Sequence, residues 1–165
     1  MISITRVLEF DMGHRIPDHQ SKCRFLHGHR YRAEFTVGGP LIEGGPSSEM
    51  VLDFGDIKRA MVEVIEGGFD HQFALYQADP IRGQWHSISM SNYGIIVLPV
   101  IPTVQNLAKL LGDVVWEKLS KMVGENQTYS PSMTQDEPPE PNIFPLAFKL
   151  FETPNCWAVY NFQSS

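Results

Sequence analysis

Residues 25–37, Phe-Leu-His-Gly-His-Arg-Tyr-Arg-Ala-Glu-Phe-Thr-Val, constrain the fold of this chain more than any other stretch. With a period of two, Phe25, His27, His29, Tyr31, Ala33 and Phe35 share one face. Leu26, Gly28, Arg30, Arg32, Glu34 and Thr36 share the other. That pattern reads as a β-strand, and Gly38-Gly39-Pro40 ends it, with Gly44-Gly45-Pro46 prolonging the turn region. Residues 2–10 mix β-branched and apolar side chains and read as an earlier strand, while 11–23 carry Asp, Gly, Pro and Ser and suit a loop. The two strands form an antiparallel hairpin.

The remainder supplies cover for that hairpin. Asp53 is an N-cap, and Ile57, Met61, Val64 and Ile65 form a helical stripe stopped at Gly67-Gly68. Residues 69–76 read as one further helical turn or a loop. Residues 94–101 are extended by composition, with Pro99 limiting a central-strand role. Thr103 caps a second helix with Leu107, Leu110, Leu111, Val114, Val115 and Leu119 on its apolar face. Two closing strands, 146–151 and 156–162, join through Thr153-Pro154-Asn155. The order is ββααββ: an α+β domain with a four-stranded antiparallel sheet and two helices on one face. Residues 1–165 read as a single domain carrying a Pro-rich acidic loop at about 125–145. A small sheet leaves open edges, and homo-oligomerisation through them is expected.

Charge is distributed unevenly. The 165 residues carry a net −6, which argues against nucleic acid as a partner. Residues 14–32 hold five basic residues, Arg15, Lys22, Arg24, Arg30 and Arg32, against one acid, Asp18. That segment is therefore +4 and the rest −10, which together give the −6 of the whole. It also contains four of the six His and one of the two Cys. No run is long and apolar enough to span a membrane. The start lacks a basic n-region followed by an apolar stretch, which argues against a secretory peptide. Two distant Cys make no disulfide framework, so a cytoplasmic setting is expected.

The residues that carry chemistry concentrate in the basic segment. His27 and His29 lie side by side on one strand face, and a hairpin folding at 15–22 brings His14 across from them. Three neutral imidazoles leave a zinc ion its full charge and an open fourth position, a catalytic and not a structural arrangement. Cys23 stands between Lys22 and Arg24, where positive charge favours the thiolate as nucleophile or base. Cys156, in an apolar strand, reads as core. Asp70 precedes His71 and can fix its tautomer, provided a turn lets neighbours meet. Glu152, at a strand end, can hold an N–H and NH₂ ring edge in a bidentate way. His19 and His86 sit in loops without an assigned role, and the three Trp read as packing.

As an ordered set, these residues resemble the family of 6-pyruvoyltetrahydropterin synthase and its bacterial relative, 6-carboxytetrahydropterin synthase of queuosine biosynthesis. The matching motifs are Phe10-Asp11-Met12-Gly13-His14-Arg15, Cys23-x3-His27-Gly28-His29, Met50-Val51-Leu52-Asp53-Phe54 and Phe69-Asp70-His71. Pro102-Thr103-x-x-Asn106-Leu107-Ala108 and Phe151-Glu152-Thr153 complete the set. The short gap between Cys23 and His27 is similar to the carboxytetrahydropterin type. Two positions depart from the usual pattern: Phe69 stands where Leu is common, and Gln105 where Glu is common.

The resemblance implies the tunnelling fold, trimers or dimers of trimers, and Zn²⁺ held by His14, His27 and His29. It implies 7,8-dihydroneopterin triphosphate as substrate, Cys23 as general base, Asp70 and His71 assisting proton transfer, and Glu152 anchoring the pterin. Thr103 is implied as a further substrate contact, and Arg15, Lys22 or Arg24 as neutralising the triphosphate. In the carboxy branch the products are 6-carboxytetrahydropterin, acetaldehyde and triphosphate. The alternatives are the pyruvoyl synthase, by triphosphate elimination, and a non-catalytic pterin- or zinc-binding oligomer.

Overall fold

The computed structural model describes residues 2–85, 94–127 and 142–163. Strand β1 (Ile2–His14) pairs antiparallel with β2 (His27–Gly39), and the pairing runs unbroken from Ile2↔Gly39 to His14↔His27. A 3₁₀ turn at Lys22–Arg24 lies between them. Helix α1 (Phe54–Met61) continues through a π-helical turn at Val62–Glu66 and is followed by β3 (Gln72–Tyr76). Strand β4 (Ile95–Leu98), helix α2 (Val104–Gln127), β5 (Phe144–Thr153) and β6 (Cys156–Asn161) complete the order.

The sheet has six strands in the order β4-β3-β1-β2-β5-β6. The helical layer and the β1, β2, β5, β6 antiparallel frame agree with the sequence reading. The strand count and the purely antiparallel character do not: β3 runs parallel to β1, and β4 parallel to β3. Residues 72–76 are therefore a strand and not a helical turn. At five residues, with one side taken by β1 and the other by β4, this strand is too short for its alternation to register. Its presence also explains why β1 extends through Asp11–His14, a stretch that reads as loop. Met12, Gly13 and His14 are bracketed by β2 on one side and β3 on the other. Most of the 125–145 loop, and His86, lie outside the described residues.

Parity along the strands divides the sheet. Phe10 and Met12 of β1, Tyr31, Ala33, Phe35 and Val37 of β2, and Phe148 and Leu150 of β5 face the helices and are buried. Ile57, Met61 and Ile65 of α1 meet them, together with Leu107, Leu111, Val115 and Leu119 of α2. Each such burial contributes roughly 1.5–3 kcal/mol relative to exposure. Val114 is exposed despite its place in the expected apolar stripe. Cys156 is also exposed, because it opens the outermost strand directly after the 154–155 turn. Trp157, expected as packing, is half exposed on the helix-free face.

Both helices start where a side chain meets a free amide. The Asp53 carboxylate accepts from the Gly55 N–H at 2.6 Å. Thr103 Oγ1 accepts from the Asn106 N–H at 3.3 Å. Past the π turn, the Asp70 N–H donates to the Ile65 carbonyl at 2.9 Å, which swings Asp70 and His71 onto β1.

Helix α2 lies close on the sheet at Gly112, where an added Cβ would sit 2.9 Å from Phe148 Cβ and 3.0 Å from Tyr160 Cδ1. Phe148 Cβ is tied to its backbone and cannot yield, so the helix itself must lift. Gly112→Val is expected to cost about 2 kcal/mol by overpacking, read as a lowered urea midpoint with an unchanged slope.

Candidate functional site

The helix-facing side of β1 and β2 does not end with the apolar core. Continuing past Phe10 and Met12 on β1, and past Tyr31 on β2, it carries His14, His27 and His29. One ligand nitrogen from each of these rings lies within 4.8 Å of the others. Ring centroids are 4.5 Å apart for His14–His27, 5.3 Å for His14–His29 and 5.1 Å for His27–His29. Register produces this: His14 faces His27 directly, and Met12, two residues earlier, faces His29.

Backbone carbonyls orient two of the rings. His14 Nδ1–H donates to the Pro102 carbonyl at 2.7 Å, and His27 Nδ1–H donates to the Phe25 carbonyl at 2.8 Å. Each bond commits the Nδ1 proton and leaves Nε2 as a lone-pair donor, the second-sphere pattern of metal-binding imidazole. His14 is fully buried, and its Nε2 has no hydrogen-bond partner among the described residues. Three nitrogen donors, one of them a buried orphan, fit a divalent cation of zinc type.

Glu152 joins them from β5. On the same face as Phe148 and Leu150, its Oε1 lies 3.5 Å from His14 Nε2. This is no ion pair, because the His14 ring is neutral: its free nitrogen and the carboxylate oxygen are both acceptors. Tyr31 closes the inner end, fully buried, with a hydroxyl that also lacks a partner. The sequence reading assigned Tyr31 to the strand face without a role; its place two residues beyond His29 was the available signal.

Asp70 and His71 form a second arrangement. His71 adopts φ +58°, a left-handed backbone that lets adjacent side chains meet. Its Nδ1 lies 2.8 Å from Asp70 Oδ2, while Asp70 Oδ1 accepts from the Asp11 N–H at 2.8 Å. The His71 N–H in turn donates to the Asp11 carbonyl at 2.7 Å. The dyad expected from sequence is thus formed, and its orienting partner is β1 backbone. It does not converge with the histidine cluster. His71 is exposed and lines an open cleft of about 480 Å³ with Asp11, Gly13, Gly28 and Arg30, which hold the helix-free parity of β1 and β2, and with Met12 and His29 at its border.

The basic segment folds into the turn between β1 and β2. Cys23 is half-buried in the 3₁₀ turn, and its carbonyl accepts from the Ile16 N–H at 2.9 Å. Arg15 and Arg24 line a hollow of about 610 Å³ with Asp18, His19, Gln20 and Phe25. Arg15 is also 3.3 Å from the buried Asp79, and Lys22 is exposed at the loop surface outside that lining. Thr103 is engaged in capping α2, one residue after the carbonyl that holds His14, and Gln105 is exposed in the first turn.

Known proteins share this arrangement of chain. The family model of 6-pyruvoyl tetrahydropterin synthase matches residues 3–163. A protein of Rickettsia felis named 6-carboxy-5,6,7,8-tetrahydropterin synthase is 37% identical over 157 residues, covering 95% of this chain and 98% of its own. The namesake from Haemophilus influenzae is 30% identical over 115 residues, covering 67% and 79%. Among solved structures, the 6-pyruvoyl tetrahydropterin synthase of Caenorhabditis elegans superposes with a TM-score of 0.57 at 20% identity, covering 98% and 96%. That of Plasmodium falciparum gives 0.60 at 17% identity, covering 96% of each chain. These two likenesses establish the fold, the tunnelling fold expected from the sequence.

Electrostatics suit the donor role. Burial, and then the neighbouring rings, hold His14 below its ordinary 6.5, against opposing pulls from the Pro102 bond and Glu152. Burial likewise lowers His29, against the pull of Glu152. Asp70 is pushed up by burial but held below 3.8 overall by the Asp11 amide and His71. For the two histidines the sign is clear. Above 6.5 they are neutral in both the folded and unfolded chain; as pH falls through 6.5 the unfolded chain takes protons the folded one refuses. Metal-free protein should therefore lose stability as the pH falls below about 6.5. His29→Asn should flatten that decline in urea titrations.

Proposed function

The chain belongs to the 6-pyruvoyl tetrahydropterin synthase family, and from that premise we propose that it is a zinc-dependent 6-carboxy-5,6,7,8-tetrahydropterin synthase. The reaction is conversion of 7,8-dihydroneopterin triphosphate and one water to 6-carboxytetrahydropterin with release of acetaldehyde and triphosphate, a carbon–carbon lyase activity feeding queuosine or another 7-deazapurine. Relatives of that name at 37% identity over nearly the whole chain support the carboxy branch over the pyruvoyl one. The observation that carries the reading is the buried, unpartnered His14 Nε2 within a converging set of three imidazoles.

His14, His27 and His29 would hold the ion, and Zn²⁺ there supplies Lewis-acid stabilisation of charge developing on substrate oxygens. Glu152, whose carboxylate opens onto the same face, receives the pterin N–H and NH₂ edge in bidentate fashion. Cys23 is assigned as the base that takes a proton from the side-chain carbon. Asp70 orients His71 for a second proton transfer through the 2.8 Å contact. Thr103 is assigned to the substrate edge, and Arg15, Lys22 or Arg24 to the triphosphate, with the hollow under Arg15 and Arg24 as its place.

One geometric fact shapes the assembly this function needs. The three imidazoles take the helix-facing parity of β1 and β2, whereas the cleft that holds the Asp70–His71 dyad is lined largely from the opposite parity, by Asp11, Gly13, Gly28 and Arg30, with His29 at its border. Both can act on one substrate only if the helix-free face of a second copy supplies the dyad. A homo-oligomer, a trimer or dimer of trimers of the 1–165 domain, is therefore part of the proposal. No described helix is long and apolar enough to cross a membrane, and we assign the enzyme to the cytoplasm.

Incubation with dihydroneopterin triphosphate is expected to yield acetaldehyde and 6-carboxytetrahydropterin in equal amounts. Chelation should abolish this and added zinc restore it. Cys23→Ala should lower kcat by about 10²–10⁴-fold, the range for a lost general base, with pterin binding retained. Mass spectrometry showing a pyruvoyl product instead would move the chain to the other branch.

A further inference from the structure

Tyr31 is the next inward residue on the face that carries His27 and His29. It is fully buried, stacked on Phe10 at 5.3 Å between centroids and set edge-on to His14 at 6.0 Å and His29 at 5.8 Å. Its hydroxyl is cut off from solvent and has no partner among the described residues, a state that buried polar groups rarely keep without a purpose. Arg32 pairs with Phe151 and Ala33 with Leu150, so continuation of the register sets Tyr31 opposite Glu152 on the same face. The β5–β6 ladder shifts between Phe151 and Thr153, which loosens the strand at Glu152. The carboxylate thus has two neighbours: His14 Nε2, 3.5 Å away, and the phenol across the ladder.

Those neighbours make opposite demands on it. His14 Nδ1–H donates its hydrogen bond to the Pro102 carbonyl, so Nε2 offers only a lone pair. A carboxylate facing that lone pair gains nothing from it. A carboxylate is, however, a good zinc ligand. Once an ion sits on the three histidines, Glu152 either becomes the fourth ligand and closes the site, or another donor restrains it.

We propose that Tyr31 is a positioning residue: once an ion is held by the three histidines, its hydroxyl, unpartnered among the described residues, takes up a hydrogen bond to the Glu152 carboxylate and keeps it out of the coordination sphere. The fourth position then stays open to a substrate oxygen, and Glu152 stays available to the ring edge. The inference rests on the metal reading of the histidine cluster. It adds a residue whose ring belongs to the core and whose hydroxyl belongs to the site.

Tyr31→Phe keeps the ring and removes the donor. Its zinc affinity, measured by competition with a chromophoric chelator, is expected to rise about tenfold as Glu152 joins the ion. Loss of a second-sphere partner ordinarily weakens metal binding by about 10–100-fold. The visible spectrum of the cobalt-substituted variant should change accordingly. Tyr31→Phe combined with Glu152→Gln should return both readings to those of the wild type. Zinc held no more tightly by Tyr31→Phe, or a spectral change that survives in the double variant, overturns the proposal. Should Tyr31→Phe fail to fold, Glu152→Gln alone decides: unchanged zinc affinity supports a carboxylate outside the sphere, and a drop refutes it. Wild-type protein that binds no zinc, or binds it equally well as His27→Ala, overturns the metal reading and this inference with it.

Discussion

The register of β1 against β2 is the constraint on which the rest depends. With His14 opposite His27 and Met12 opposite His29, three imidazoles converge. A slip of one residue would turn every side chain of one strand to the other face. Charge pairs on the helix-free face favour the observed register: Arg30 reaches Asp11 at 2.8 Å and Glu9 at 3.3 Å, and Thr5 meets Thr36 at 2.8 Å. Exposed pairs of this kind contribute only about 0–1 kcal/mol each. The buried residues Phe10, Tyr31, Ala33 and Phe35 lie on the opposite face, and their burial is worth several times more. The core therefore fixes the register, and the charges refine it.

The same core serves as the back wall of the site. Along β2, burial is complete at Phe35, Ala33 and Tyr31 and only partial at His29 and His27. The sheet thus runs out from beneath the helices as it reaches the imidazoles, and a ligand entering there meets a dry inner end and an open outer one. Helix α2 is coupled to this geometry at its start. Pro102, whose carbonyl holds His14, immediately precedes the Thr103 cap. Any change that shifts the first turn of α2 therefore shifts the His14 ring.

Much of this was legible from strand periodicity. A period of two needs no tertiary information to place His27 beside His29, and the intervening turn residues sufficed to bring His14 opposite. What stayed hidden depended on contacts distant in sequence. Asp11–His14 reads as loop because its Asp and Gly are poor strand formers; it is a strand because β3, some sixty residues on, pairs with it. Cys156 reads as core because its strand is apolar, yet the outermost strand of a sheet has no neighbour to bury it. Tyr31 was visible only as an aromatic on an inward face, where an aromatic ordinarily needs no further explanation. Its unpartnered hydroxyl is a property of the packed structure alone. Asp70 and His71 were recognisable as a pair, but adjacency in sequence carries no information about which side of the sheet they serve.

The site also imposes a cost on the fold that has a definite direction. His14 Nε2 and the Tyr31 hydroxyl are buried without partners, and each such group costs about 1–3 kcal/mol. Against a typical total of about 5–15 kcal/mol for a domain, two such groups are a substantial share. Replacing them with apolar residues would stabilise the chain and remove the site. Both lie on the face where three imidazoles and a carboxylate converge. An ion bound by the proposed three-histidine site would stabilise the folded chain by mass action, since the unfolded chain has no preformed site. The unfilled hydrogen-bonding capacity beside Glu152 is the local instability expected of a fold arranged around what it binds.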